Sequence, residues 1–310
     1  MSESGTEYRK YLDPRTLARV ASIDLRARLI VEGLMSGMHR SPYQGASVEF
    51  AQHRPYVSGD DIRRVDWKVL GKTDRIYLKQ YLEETNLQLI LVVDASESMG
   101  YGSVRARTED SALWTKYDHA TAIAASLAYI AIQQSDSVGL AIFDQTLSRY
   151  FKPSNSPAQW KTVINEMQQV PRWSKTNTGK ILGQIAEKLT HRSLIVLLSD
   201  FFDDLEGIKK GLRHLRYKKH ELMAFQILDP TEIEFPFEDV TMFKGLEESG
   251  ELLTEPRALR AGYLEQLNLF TEGFKKMCRG MHIDFVRLNS GESLDVPLSS
   301  FLATRAASMK

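Results

Sequence analysis

Five runs of six to eight residues, LILVVD (89–94), SVGLAIF (137–143), SLIVLLS (193–199), ELMAFQIL (221–228) and MHIDFVRL (281–288), are almost continuously apolar. A strand with one wet face alternates apolar and polar residues. A run without alternation belongs to a strand covered on both faces, as in the parallel sheet of an α/β protein. Parallel neighbours cannot be joined by a tight turn and need a long crossover. The sequence supplies one in each gap: stretches with helical spacing lie near 112–134, 157–169, 179–190, 204–217 and 257–279. The pattern predicts an α/β fold, a doubly wound and mainly parallel sheet with helices on both sides. Short β segments near 148–152 and 240–254 are expected as hairpin edges, with Gly245 and Gly250 at turns.

Upstream the texture differs. Asp13-Pro14 reads as a helix cap with proline at the first position. Ala18, Ala21, Leu25 and Leu29 then form one stripe, which predicts a helix to about Met35, ended near Gly37. From Gly45 to Glu84, ASVEFAQHRPY and DRIYLKQYLEE alternate like half-exposed strands around the charged turn segment SGDDIRRVDWKVLGKTD. Two domains are expected: residues 1–84, a helix and a small β-rich module, and residues 85–310, the main α/β domain.

Bulk properties narrow the function. Lys plus Arg and Asp plus Glu are both 40, so charge points to neither nucleic acid nor an acidic surface. Cys278, the single cysteine, excludes an internal disulfide and reads as a core residue in a reducing compartment. The first twenty residues lack an apolar signal core, and no run approaches the roughly 18 apolar residues of a membrane span. A cytoplasmic protein without direct membrane insertion is expected.

In open α/β sheets, ligands collect beyond the carboxyl ends of the strands. After the first run stand Asp94, Ser96 and Ser98, alternate positions that an extended chain aims the same way. After SLIVLLS stands Asp200, followed by Phe201, Phe202, Asp203 and Asp204. A polar loop, SKTNTGK, with Thr176 and Thr178, precedes the helix near 179. Convergence of these segments would offer hydroxyl and carboxylate oxygens without Cys or His. Such donors suit Mg²⁺, Mn²⁺ or Ca²⁺ rather than zinc. With few charged ligands, the ion would accept one more carboxylate from a partner protein.

DASES at 94–98, Thr176 in KTNTG and Asp200 in LLSD resemble the metal-ion-dependent adhesion site of von Willebrand factor A (VWA) domains. The resemblance implies the same doubly wound sheet. It also implies a metal held by Ser96, Ser98 and Thr176, with Asp94 and Asp200 acting largely through water. Upstream, Glu49, Phe50, Arg54, Tyr56, Gly59, Asp60, Arg63, Asp66 and Trp67 resemble the signature of an uncharacterised bacterial branch of VWA-like proteins. That branch commonly accompanies MoxR-type AAA+ ATPases, which the resemblance implies as the partner context. Other members often carry membrane-spanning segments, which this sequence does not show. The Asp60–Arg63–Asp66–Trp67 segment reads as an ion-pair network docking the β module, or as a partner surface.

Each site residue has a plainer reading. Asp and Ser are favoured at turns and helix caps, and Asp203 and Asp204 suit the start of the next helix. Asn177 and Thr178 read as loop supports, and Asp144 as a rim residue. Enzymatic motifs fail on inspection. A phosphoaspartyl hydrolase would want Asp at position 96, where Ser stands. No Gly-x-Ser-x-Gly elbow is present. Gly71-Lys72-Thr73 would need its first P-loop glycine at position 66, which is Asp. Gly100-x-Gly102 lacks a third glycine, because position 105 is Arg. The sequence predicts a non-catalytic, Mg²⁺-dependent (Mn²⁺ or Ca²⁺ also suit) adaptor or chaperone-like protein. The alternatives are a metal-assisted phosphohydrolase and a structural scaffold with a vestigial site.

Overall fold

A computed structural model describes residues 12–20, 22–38, 53–55, 77–79, 87–105, 113–169, 177–245 and 250–308. The chain groups into two compact units, Met1–Arg40 with Leu87–Lys310, and Ser41–Asn86.

The expected N-terminal helix is broken. Asp13 caps α1 (Pro14–Leu17), its carboxylate accepting from the Arg15 N–H at 3.1 Å. The chain then leaves helical pairing and restarts as α2 (Ile23–Met38). The break has a local cause. The Val20 carbonyl accepts from Arg26 Nε at 2.5 Å, and the Ser22 carbonyl opens the new helix by accepting from the Arg26 N–H at 3.0 Å. In the smaller unit, β1 (His53–Pro55) pairs antiparallel with β2 (Tyr77–Lys79). The segment carrying Asp60, Arg63, Asp66 and Trp67 lies outside the described residues.

The larger unit continues through β3 (Gln88–Asp94), a 3₁₀ turn at Glu97–Gly100, and the short antiparallel pair β4 (Val104–Arg105) and β5 (Leu113–Trp114). Then follow α3 (Lys116–Gln133), β6 (Ser137–Phe143), β7 (Leu147–Ser154), α4 (Pro157–Gln168) and α5 (Thr178–Lys188). Next come β8 (Leu194–Ser199), α6 (Leu205–Tyr217), β9 (Glu221–Leu228) and α7 (Pro230–Glu234). The hairpin β10 (Thr241–Lys244) and β11 (Glu251–Thr254), α8 (Pro256–Gly280), β12 (Asp284–Asn289) and α9 (Asp295–Ser308) complete the order.

The six-stranded central sheet runs β12-β9-β8-β3-β6-β7, parallel except for the antiparallel edge strand β7. The fold is thus mixed α/β with a mainly parallel sheet, as the continuous apolar runs predict. The reason is visible in β3. Leu89, Leu91 and Val93 bury against one face, with residues of α2, α3, α4 and α9, while Ile90 and Val92 bury against the other, with α5, α6 and α8. From Leu89 to Val93 neither face of β3 meets water, so neither carries a polar residue there.

α3 is buried around most of its circumference, from Lys116 to Ala131, because α2 and α4 pack against its outer side. The apolar stripe of α2 (Ile23, Ala27, Ile30, Val31, Leu34) belongs to this core. The boundary expected at residue 84 therefore does not describe the N-terminal helix, which groups with the larger unit. Cys278 is buried among Phe274 and Ile283, and burial pushes its thiol up to about 12, in keeping with an inert core residue.

Candidate functional site

β3 and β8 are neighbours in the sheet and end together, Val93 lying opposite Leu198. After β3 the chain crosses to β6 on one side; β8 and β9 lie on the other. This reversal is where crevices form in open α/β sheets.

Asp94, the last residue of β3, is 1% exposed. Its Oδ1 accepts from the Ser96 N–H at 2.8 Å, which turns the chain inward. Its Oδ2 accepts from Ser199 Oγ at 2.5 Å. Ser199 Oγ in turn accepts from the Phe201 N–H at 2.8 Å. The turn brings Ser96 and Ser98 onto one side, with their Oγ atoms 3.1 Å apart. Ser96 is fully buried and Ser98 partly so.

Asp200 follows β8 and is also 1% exposed. The next residue, Phe201, holds a left-handed backbone (φ 59°) that bulky side chains rarely adopt. Its ring stacks on Phe274, with centroids 4.6 Å apart. Asp200 Oδ1 accepts from the Phe202 N–H at 3.2 Å, and its backbone carbonyl accepts from Gln226 Nε2 at 3.1 Å. Burial pushes the Asp94 carboxyl up to about 7, and the charge of Asp200 adds to the rise. The bonds from Ser199 and Ser96 work against it. Two carboxylates are thus held close together out of water, an arrangement that favours a positive charge nearby.

One such charge belongs to the protein. Lys116, in the first turn of α3, has a side chain 0% exposed. Its Nζ donates to Asp200 Oδ2 at 2.8 Å and to Glu232 Oε1 at 2.7 Å. Burial alone would lower its pKa, but the two carboxylates outweigh burial and raise it, so the ammonium keeps its proton. Glu232 belongs to α7, and its other oxygen accepts from the Asp229 N–H at 2.8 Å, closing a capping box.

Of the five residues picked from the sequence, the structure brings together Asp94, Ser96, Ser98 and Asp200; Thr176 lies outside the described residues. Asn177 caps α5, and Asp204 caps α6 by accepting from the N–H groups of Glu206 and Gly207. Asp203 receives the Thr178 N–H at 2.6 Å, tying the start of α5 to the loop after β8. Asn177 and Asp204 follow the plainer readings, whereas Asp203, expected to favour the start of α6, gives its Oδ2 to the start of α5. Sequence reasoning missed Lys116, Glu232 and Ser199. Ser199 carried a usable mark, a small polar residue ending an apolar run; the other two did not.

Among the described residues no three His, Cys, Asp or Glu side chains gather as a metal group. An ion here would rest partly on hydroxyls. The 3.1 Å between the serine oxygens is a hydrogen bond between the two hydroxyls, and it is also close to the edge, about 3.0 Å, of an octahedron with bonds of about 2.1 Å. Both oxygens of Asp94 and of Asp200 already accept protein donors. They suit a water-mediated role better than direct ligation.

Comparisons with known proteins bear on the chain as a whole. Residues 52–269 match the family model described as "Protein of unknown function DUF58". An uncharacterised protein of Mycobacterium tuberculosis (strain H37Rv) is 25% identical over 227 residues, 72% of this chain and 68% of that protein. One from Mycobacterium bovis matches to the same extent. Among solved structures, the conserved hypothetical protein BatB from Bacteroides thetaiotaomicron aligns with a TM-score of 0.44 and 13% identity, over 72% of this chain and 98% of that one. An aerotolerance-related membrane protein from Bacteroides fragilis aligns with a TM-score of 0.44 and 13% identity, over 71% and 97%. Among the described residues of the present chain, no helix is long and apolar enough to cross a membrane.

Proposed function

The chain belongs to the DUF58 family of proteins of unknown function, and from that premise we propose that it is a non-catalytic, divalent-metal-dependent protein-binding protein. In this reading the α/β unit is VWA-like. Ser96 and Ser98, with Thr176, hold Mg²⁺ (Mn²⁺ and Ca²⁺ suit the same donors), and Asp94 and Asp200 hold its waters. A partner's Asp or Glu completes the shell. The partner context is a MoxR-type AAA+ ATPase in the cytoplasm, with this chain as adaptor or chaperone-like cofactor.

The observation that carries the reading is the pair of serine hydroxyls 3.1 Å apart beside a fully buried carboxylate at the end of β3. A metal-assisted hydrolase with an aspartyl nucleophile fits less well, because both Asp94 oxygens are engaged by donors that blunt nucleophilicity. The test is a pull-down from cell extract using the whole chain, with MoxR-type ATPase scored among the eluted proteins. Capture is expected with Mg²⁺, and its loss with EDTA or with Asp94→Ala plus Ser96→Ala in a folded protein. Capture indifferent to both EDTA and the substitutions would remove the metal from the proposal.

A further inference from the structure

The feature that the metal reading leaves unused is the ammonium already seated on one of its carboxylates. A lysine with no exposed side chain is rare, because burying a charge costs several kcal/mol unless it is paired. Lys116 meets that cost with two carboxylates, at 2.8 Å to Asp200 and 2.7 Å to Glu232. The ring of Phe202 lies 5.5 Å from Nζ, within reach of a cation–π contact. Nothing in this arrangement needs a metal. The Asp200 side chain is anchored by Lys116 Nζ on one oxygen and by the Phe202 N–H on the other. Glu232 is anchored by the same ammonium and by the Asp229 N–H.

A divalent ion at the serine pair would be drawn by Asp94 and Asp200 and opposed by the charge of Lys116. Resting on the metal reading above, we propose that Lys116 is a positioning residue that acts as the site's tethered cation. It keeps Asp200 in place when the divalent ion is absent, and its charge holds the affinity for that ion low. The ion is then retained firmly only when a partner's carboxylate adds a further negative charge. Capture of an acidic partner and retention of metal become one event, with little metal held by the free protein. The linkage also reaches beyond the site, because Glu232 shares its carboxylate between Lys116 and the cap of α7.

The experiment titrates the full chain with Mn²⁺ by calorimetry at pH 7.5, and by the loss of the free-Mn²⁺ electron paramagnetic resonance signal. Lys116→Met leaves Asp200 and Glu232 unpaired and risks the fold. The double variant Lys116→Met with Glu232→Gln removes one charge of each sign and guards against that outcome; circular dichroism confirms folding. At least tenfold tighter Mn²⁺ binding than in the unaltered chain is expected in either folded variant, and binding detectable only in the variants supports the proposal as well. Adding Ser96→Ala should abolish the gain. Measurable binding by the unaltered chain that is equal or weaker in the folded variants overturns the role of Lys116 and leaves the metal site standing. Absence of binding in every protein, or binding indifferent to Ser96→Ala, overturns both.

Discussion

Two side chains of α3 show opposite answers to the same cost, that of a charge out of water. Lys116 keeps its proton because two carboxylates face it. His119, one turn further and 1% exposed, has no such partner. Its Nδ1 accepts from Trp114 Nε1 at 3.4 Å, and burial drives its pKa down to about 3, against a smaller upward pull from a hydrogen bond with the Ser290 backbone. The unfolded chain would protonate His119 near pH 6.5. Between pH 6.5 and about 3 the unfolded state therefore binds a proton that the folded state refuses. Stability from this residue is complete above pH 6.5 and falls as the pH drops, by up to about 1.4 kcal/mol per unit. Asp94, whose carboxyl the fold pushes up to about 7, takes up a proton on folding in the same window and gives both proteins a slope of the opposite sign. The readout is therefore a difference: in urea unfolding the unaltered chain should lose about 1 kcal/mol relative to His119→Gln between pH 6 and pH 5. Equal slopes would refute the assignment. The same contrast explains what the sequence could disclose. Asp94, Ser96, Ser98 and Asp200 were legible because they are polar residues that end or directly follow unbroken apolar runs, three of them at alternate positions. Lys116 was not, because a lysine in the first turn of a helix ordinarily reads as solvated. Only the arrival of Asp200 and Glu232, 84 and 116 residues away in sequence, makes it an interior residue.

The elements that frame the site owe their spacing to missing side chains. α5 and α6 start beside the loop after β8, and they approach so closely that a Cβ on Gly179 would lie 2.4 Å from the Gly207 carbonyl carbon. Such a contact forces the backbones apart, and overpacking of this kind costs about 1–3 kcal/mol. Gly183, one turn on in α5, would have nothing within 4 Å of its Cβ. There an alanine should gain about 0.5–1 kcal/mol from helix propensity. Urea denaturation should thus rank the proteins Gly183→Ala, unaltered chain, Gly179→Ala, from most to least stable. A neutral Gly179→Ala would show that the two helices slide apart freely. Elements with strong periodicity were legible: the parallel strands by their unbroken apolar runs, α8 by its length. Two were not. The break before α2 depends on a guanidinium reaching back to the Val20 carbonyl, a contact that apolar spacing does not encode. In α9, Pro297 and the neighbouring serines suggest a loop. Yet Pro297 falls in the first turn, where it is tolerated, and Leu298 and Phe301 are fully buried.

At the scale of the molecule, sequence pattern indicated a parallel sheet but not the order of its strands, because every central run is equally apolar. It also placed the N-terminal helix with the β module, since adjacency in sequence was the only guide. Burial argues otherwise. Leu17, Ile23, Ile30, Val31 and Leu34 are all at or below 9% exposure and join the core that contains α3 and one face of β3. Arg26 adds an ion pair to Asp118 at 3.2 Å, and its guanidinium lies 4.9 Å from the Trp114 ring. At roughly 1.5–3 kcal/mol for each large aliphatic side chain fully buried, these five contribute on the order of 10 kcal/mol. That rivals the entire stability of an ordinary domain, about 5–15 kcal/mol. A chain beginning at Ser41 should therefore lose its cooperative unfolding transition and bind a hydrophobic dye such as ANS, because one side of α3 would face water. A module whose helix were only an appendage would behave differently, and the shortened chain would unfold in urea as sharply and at the same midpoint as the full one. Overlapping curves for the two proteins would return the helix to the β module; a broad transition with dye binding would confirm that the sheet domain is closed by a segment that precedes residues 41–86 in sequence.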